Sequence, residues 1–179
     1  MDLAHLVQTI QSSAAGEWMR TSIKAMPIVE SIHVLAAATL FGTILVVDLR
    51  LLGLPNTRRP FTRISHEMLR LTWGAFAVAV VAGALMFAAN AHTYFINTAF
   101  RLKVLAILCA GINMAFFQFV TFRNVAAWDQ NVRPPLPARL AGATSMLLWI
   151  AVICFARWIG FTKGYDFSVP AGAEINFKF

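Results

Sequence analysis

Charge is what this chain lacks most. Of its 179 residues, 13% are charged against 59% hydrophobic, and only 8 are acidic. Soluble domains carry about a quarter charged residues, so a water-soluble globular domain is excluded. Cysteine is scarce too: Cys109 and Cys154 each fall inside an apolar run. Neither a disulfide framework nor a cysteine metal site follows from them. The N-terminus, MDLAHLVQTIQSSAAGEWMRTSIKAM, has no basic start ahead of an apolar core and does not read as a cleavable signal peptide. No internal repeat is visible.

What the chain does have is long apolar runs. About 20 apolar residues in a helix cross a hydrocarbon layer of ~30 Å, and runs of that kind lie at 27–52, 71–89, 104–122 and 140–156, the last continuing to 161. Backbone groups in lipid need internal partners, so these are helices. The connector GLPNTRRPFTR joins the first two. WDQNVRPPLPAR joins the last two, and its Pro134, Pro135 and Pro137 favour an extended, hydrated segment. The short link between the second and third spans predicts that these two are antiparallel neighbours. Gly42, Gly74, Gly83, Gly111 and Gly142 sit in or beside spans, where small residues let helix backbones approach.

Residues 1–25 have helical amphipathicity. Leu3, Leu6, Val7, Ile10, Ala14 and Trp18 share one face, and Gln8, Gln11, Ser12, Glu17 and Arg20 the other. This predicts a helix lying in the membrane interface with Trp18 at headgroup level. At the other end, Ile175, Phe177 and Phe179 alternate with Asn176 and Lys178. That period of two suits an extended tail over 162–179 that adds as a strand to a partner protein. The expected fold is an all-α integral membrane protein: a four-transmembrane-helix antiparallel bundle over 26–161, with an N-terminal amphipathic interface helix.

The net charge is +7 and the pI near 10.3. The basic residues stand at the ends of apolar runs, as Arg70, Arg101, Lys103, Arg123, Arg139 and Arg157 do. There they set orientation and meet anionic headgroups, so the lipid bilayer is the expected partner and nucleic acid is not. The side of the two proline-containing connectors holds Arg50, Arg58, Arg59, Arg63, Arg70, Arg123, Arg133 and Arg139. Their concentration in short loops places the connectors in the cytoplasm and both termini in the periplasm of a bacterial inner membrane.

The first span carries Glu30, His33, Asp48 and Arg50. At 100° per residue Glu30 and Asp48 share a face, with His33 about 60° away. These three are expected to look into the bundle, while Arg50 snorkels to its connector. Intramembrane ionisable groups are functional candidates; the plainer alternative is a set of ion pairs, Glu30 with Lys103 or Arg101 and Asp48 with Arg50 or Arg123. His33 and His92 fall on the same side at depths that match if the first two spans are centred near residues 43 and 80. His66 lies on the other side and His5 in the interface segment. Two facing histidines can hold a haem iron. Arg101, Lys103 and Arg157 stand at the same level to pair with propionates, and Glu30 to orient the His33 imidazole.

Glu-x-x-His followed by DLRLLGL in the first span, with GALMFAANAHTYFINTAFRLKVLAILCAGIN across the second and third, resembles a group of small, uncharacterised bacterial inner-membrane proteins. The resemblance covers most of residues 27–122. Those proteins are similar in plan to four-helix membrane cytochromes b and to copper-resistance D-like membrane proteins. The positions it implies are Glu30, His33, Asp48, Arg50, Tyr94, Asn97, Lys103 and Asn113. Spans three and four have no histidine, which limits the chain to one bis-histidine haem. Met26, Met68, Met86, Met114 and Met146 are scattered, unlike the clusters a copper path favours.

The functional expectation is a membrane carrier of electrons with one haem b on His33 and His92, or the anchor subunit of a redox complex rather than a stand-alone enzyme. Its partners would be other membrane or periplasmic subunits. A metal-ion or proton pathway through Glu30, His33, Asp48 and Lys103, and a purely structural subunit, are the alternatives.

Overall fold

The computed structural model describes residues 3–54, 60–129 and 133–162. Its helices are α1 (Leu3–Gln11), α2 (Ala14–Thr21), α3 (Ala25–Leu52), α4 (Phe61–Ala89), α5 (Ala91–Ile96), α6 (Thr98–Phe116) and α7 (Leu136–Thr162). A π-helical turn, Phe117–Thr121, and a 3-10 stretch, Phe122–Ala127, continue α6. No strand occurs among the described residues. Four helices, α3, α4, α6 with its π turn, and α7, are long and apolar enough to cross a membrane. Between 17% and 22% of each apolar window is buried inside the protein. Most of the apolar surface therefore faces outward, as a lipid-facing bundle requires.

Local chemistry accounts for the helix ends. α3 stops at Gly53, whose φ of 85° is left-handed, and the Gly53 and Leu54 amides donate to the Arg50 and Leu49 carbonyls; glycine adopts this cap without steric cost. The Ser13 hydroxyl accepts from the Gly16 amide to start α2, and the Asn97 side chain accepts from Phe100 to start α6. α4 starts at Phe61, ten residues before its apolar run. Its first amides are served from a distance: Phe61 N donates to the Asp129 carbonyl, and Thr62 N to Asp129 Oδ1 at 2.8 Å.

The spans pack in the order α4, α3, α7, α6. The expectation that the second and third spans are neighbours is therefore corrected: α4 and α6 do not pack along their lengths. The link between them is not a tight turn but contains α5, which separates the two helices. They meet through rings near each end. Phe87 stacks on Phe100 at 5.5 Å on the side of α5, and Phe61 meets Phe117 edge-on at 5.9 Å on the side of the connectors.

The N-terminal segment is two helices rather than the single one expected, broken at Ser12 and Ser13. It also packs onto the bundle. A Cβ on Gly16 would come within 2.7 Å of the Ala88 carbonyl oxygen, so only glycine allows this approach. Met19 is buried with Ala25, Val29, Ala82 and Ala89. Arg20 Nη1 donates to the carbonyls of Gln11 and Ala89, at 2.7 and 3.0 Å, and so ties α2 to the end of α4. Trp18 is exposed. The extended tail expected beyond Thr162, and Arg58 and Arg59 of the first connector, lie outside the described residues.

Candidate functional site

Held together by rings near their ends and apart between them, α4 and α6 flank a cavity of about 200 Å³, with α3 and α7 behind it. α4 contributes Thr72, Trp73 and Phe76, and α6 contributes Gly111, Asn113 and Met114. The rear is formed by Asp48 of α3 with Ser145 and Trp149 of α7. Trp73 and Met114 are 56% and 39% exposed, which puts them at a rim on the outside of the bundle.

Asp48 is the chemical focus of this space. It is 4% exposed, its carboxyl is hydrogen-bonded with the Ser145 hydroxyl, and its Oδ2 has no hydrogen-bond partner. A buried polar atom without a partner costs about 1–3 kcal/mol, more if charged, and calls for an explanation. Two other polar groups around the cavity are engaged between helices. Asn113 Nδ2 donates to the Ala141 carbonyl at 3.0 Å, joining α6 to α7. Thr72 Oγ1 donates to Thr43 Oγ1 at 2.9 Å, joining α4 to α3.

None of the expected intramembrane ion pairs is present; among the described residues the ion pair is Arg63 with Glu67, exposed on one helix at 3.2 Å. Arg50 does not snorkel into water. It is 3% exposed, and its Nη2 donates to the Asp129 carbonyl at 2.8 Å. Asp129 in turn accepts from the Thr62 amide and hydroxyl, so Arg50 braces the corner where the α6 extension caps α4.

Glu30 is exposed, which corrects its expected inward position. It does share a helical face with Asp48, but α7 lies against α3 at Gly142, beside Asp48 and Leu51, at the other end of the span. One face of α3 is thus covered at one end only. His33 is half-buried, with Nδ1 2.9 Å from the Ala79 carbonyl and its ring against Gly83. Lys103 of α6, also half-buried, and Glu30 are its charged neighbours.

The structure does not bring His33 and His92 together. His33 is level with Ala79–Gly83 of α4, whereas His92 lies beyond the end of that helix, which itself runs six residues, or ~9 Å at helical rise, past Gly83. His92 is exposed in α5, and its amide donates to Gln11 Oε1 at 2.9 Å. The depth match failed because the register of α3 on α4 is set by contacts between helices, Thr43 with Thr72 and His33 with Ala79. Arg101 is exposed, and so is Arg157, whose guanidinium lies 5.2 Å from the Phe161 ring centroid. Of the three cations expected around a haem, Lys103 is the one whose charge acts on His33. His5 and His66 are exposed. Tyr94 belongs to the ring cluster at the α5 end, and Asn97 Nδ2 donates to Thr162 Oγ1 at 2.9 Å. No group of three or more His, Cys, Asp or Glu able to hold a metal ion occurs among the described residues.

Sequence reasoning missed Ser145, Thr72, Trp73 and Trp149. The available signal was weak: Ser145 stands one helical turn after Gly142 in an otherwise apolar span, and Thr72 at the start of another.

The chain belongs to a family of unknown function (DUF6644), whose model matches residues 14–162. That stretch runs from the first residue of α2 to the last of α7, so α2, packed over the bundle, is part of the matched stretch and α1 lies outside it. No curated protein and no solved structure matches the chain.

Proposed function

We propose that this DUF6644 protein is a membrane-embedded binding subunit that holds a small apolar molecule between its spans, with Asp48 as the polar anchor. It serves as a non-catalytic component of a redox assembly in a bacterial inner membrane, with both termini on the periplasmic side. The observation that carries this reading is the Asp48 carboxyl, buried with one oxygen unsatisfied at the wall of an aromatic-lined cavity. Ligand pockets combine an apolar lining with a few placed polar groups, as here. The test is mass spectrometry of the organic extract of the purified protein. A Cβ on Gly111 meets nothing within 4 Å, so Gly111→Trp has room to grow into the cavity it lines. A molecule abundant in the wild-type extract and depleted from the variant supports the reading; identical extracts overturn it.

A haem b carrier is a second reading, supported by His33. An Nδ1–H donated to the Ala79 carbonyl leaves Nε2 open as a ligand, the usual arrangement of a metal-bound imidazole. The bis-histidine arrangement loses its support, because His92 lies past the end of α4, exposed in α5, while His33 is at Ala79. The reading therefore rests on His33 with Lys103 beside it, and drops His92, Arg101 and Arg157. The reduced absorption spectrum of protein expressed with ample haem tests it. His33→Ala should abolish the haem bands, while His92→Ala and His66→Ala should keep them. Wild-type protein without such bands ends this reading.

A further inference from the structure

We infer that the occupant of the Asp48 cavity enters sideways from the bilayer between α4 and α6, and that it is a tailed hydroquinone: a flat ring with a hydroxyl head and an apolar chain. This rests on the binding role proposed above and names the ligand class. Three independent features select the class.

The lining selects the ring. Trp73, Phe76, Phe117 and Trp149 present four aromatic side chains to one small space, and aromatic groups favour flat partners by stacking or edge contact. The polar chemistry selects the head. The open oxygen of Asp48 is buried, beside the Ser145 hydroxyl. A phenolic hydroxyl is both donor and acceptor, so it satisfies the carboxyl whether or not that group holds a proton. A carbonyl head only accepts, and fits the protonated form alone.

The shape of the bundle selects the tail. α4 and α6 do not pack along their lengths, and the aromatic contacts that join them lie towards the ends. The rim residues Trp73 and Met114 are exposed on helices long and apolar enough to cross a membrane, so the opening between them faces lipid chains when the helices span a bilayer. A molecule entering there keeps its chain in the bilayer while its head reaches Asp48. The cavity is then filled without the tail having to fit inside it.

The experiment is equilibrium binding of a labelled, long-tailed hydroquinone to the full-length protein in lipid nanodiscs. Saturable binding is expected, about tenfold or more weaker for Asp48→Leu, which removes the acceptor while keeping an apolar wall. Should that variant misfold, the dimethyl ether of the same hydroquinone supplies the comparison on wild-type protein. It should bind about tenfold or more weakly, because it lacks the donor. Equal binding of the ether, or binding of a tailless hydroquinone alone, overturns the inference. If the wild-type extract holds a different molecule that long-tailed hydroquinone does not displace, the ligand class is wrong and the binding role stands.

Discussion

Gly142 of α7 lies directly against Asp48 of α3. A Cβ there would come within 3.1 Å of the Asp48 carbonyl oxygen and 2.9 Å of the Leu51 Cβ. The close approach brings α7, and with it Ser145, to the Asp48 carboxyl. Gly142→Ala should therefore push α7 away from α3. Overpacking of this kind costs about 1–3 kcal/mol. Thermal unfolding in detergent should show a clear loss, whereas Gly74→Ala, whose Cβ meets nothing within 4 Å, should show none. Equal behaviour of the two variants would rule out the tight contact.

Asp129 holds the start of α4 from outside that helix. Asp129→Ala removes the acceptor for two Thr62 donors and leaves Arg50 on the main-chain carbonyl. Lost partners of partly buried donors cost about 1–3 kcal/mol. Hydrogen exchange should speed up in the first turn of α4, and Asp129→Asn should lie between variant and wild type. Unchanged exchange at Thr62 would show that the cap contributes nothing.

Arg20 fastens α2 over the bundle. Its guanidinium meets the last carbonyl of α4, that of Ala89, where a cation is favoured by the helix dipole. Arg20→Ala should raise exchange across Ala14–Thr21 and leave α3 and α7 as they were. A stability loss of about 1 kcal/mol is expected, since part of the interaction is exposed. Protection of α2 equal to wild type would mean that Gly16 and Met19 hold it unaided.

Arg63 and Glu67 make the opposite case. The pair is exposed, one helical turn apart, and such pairs contribute about 0.3–0.5 kcal/mol. Glu67→Gln should leave unfolding unchanged within that range, at low and at high salt. A salt-dependent loss above about 1 kcal/mol would mean that the pair belongs to a larger network.

The four spans were legible because hydropathy is a property of a run of neighbours in sequence. Helix ends were less so: α4 starts ten residues ahead of its apolar run, because Asp129, distant in the chain, serves its first amides. The cavity was not legible in the same way. Asp48 could be picked out as an ionisable residue inside a span, but Ser145, one turn beyond Gly142 on another helix, became its partner only through packing.

The histidines show the boundary most sharply. Periodicity and counted depth matched His33 with His92, yet the carbonyl of Ala79 and the Thr43–Thr72 pair hold α3 in a different register against α4. Glu30 and Asp48 share a face of one helix, and only the end covered by α7 is buried. By itself the sequence determined four helices long and apolar enough to cross a membrane, because backbone hydrogen bonds and apolar run length are local constraints. The tertiary structure decided which helices touch, which are held apart, and which buried polar atoms, Asp48 Oδ2 among them, are left without a hydrogen bond. Those outcomes depend on residues far apart in the chain, whose separation no local pattern encodes.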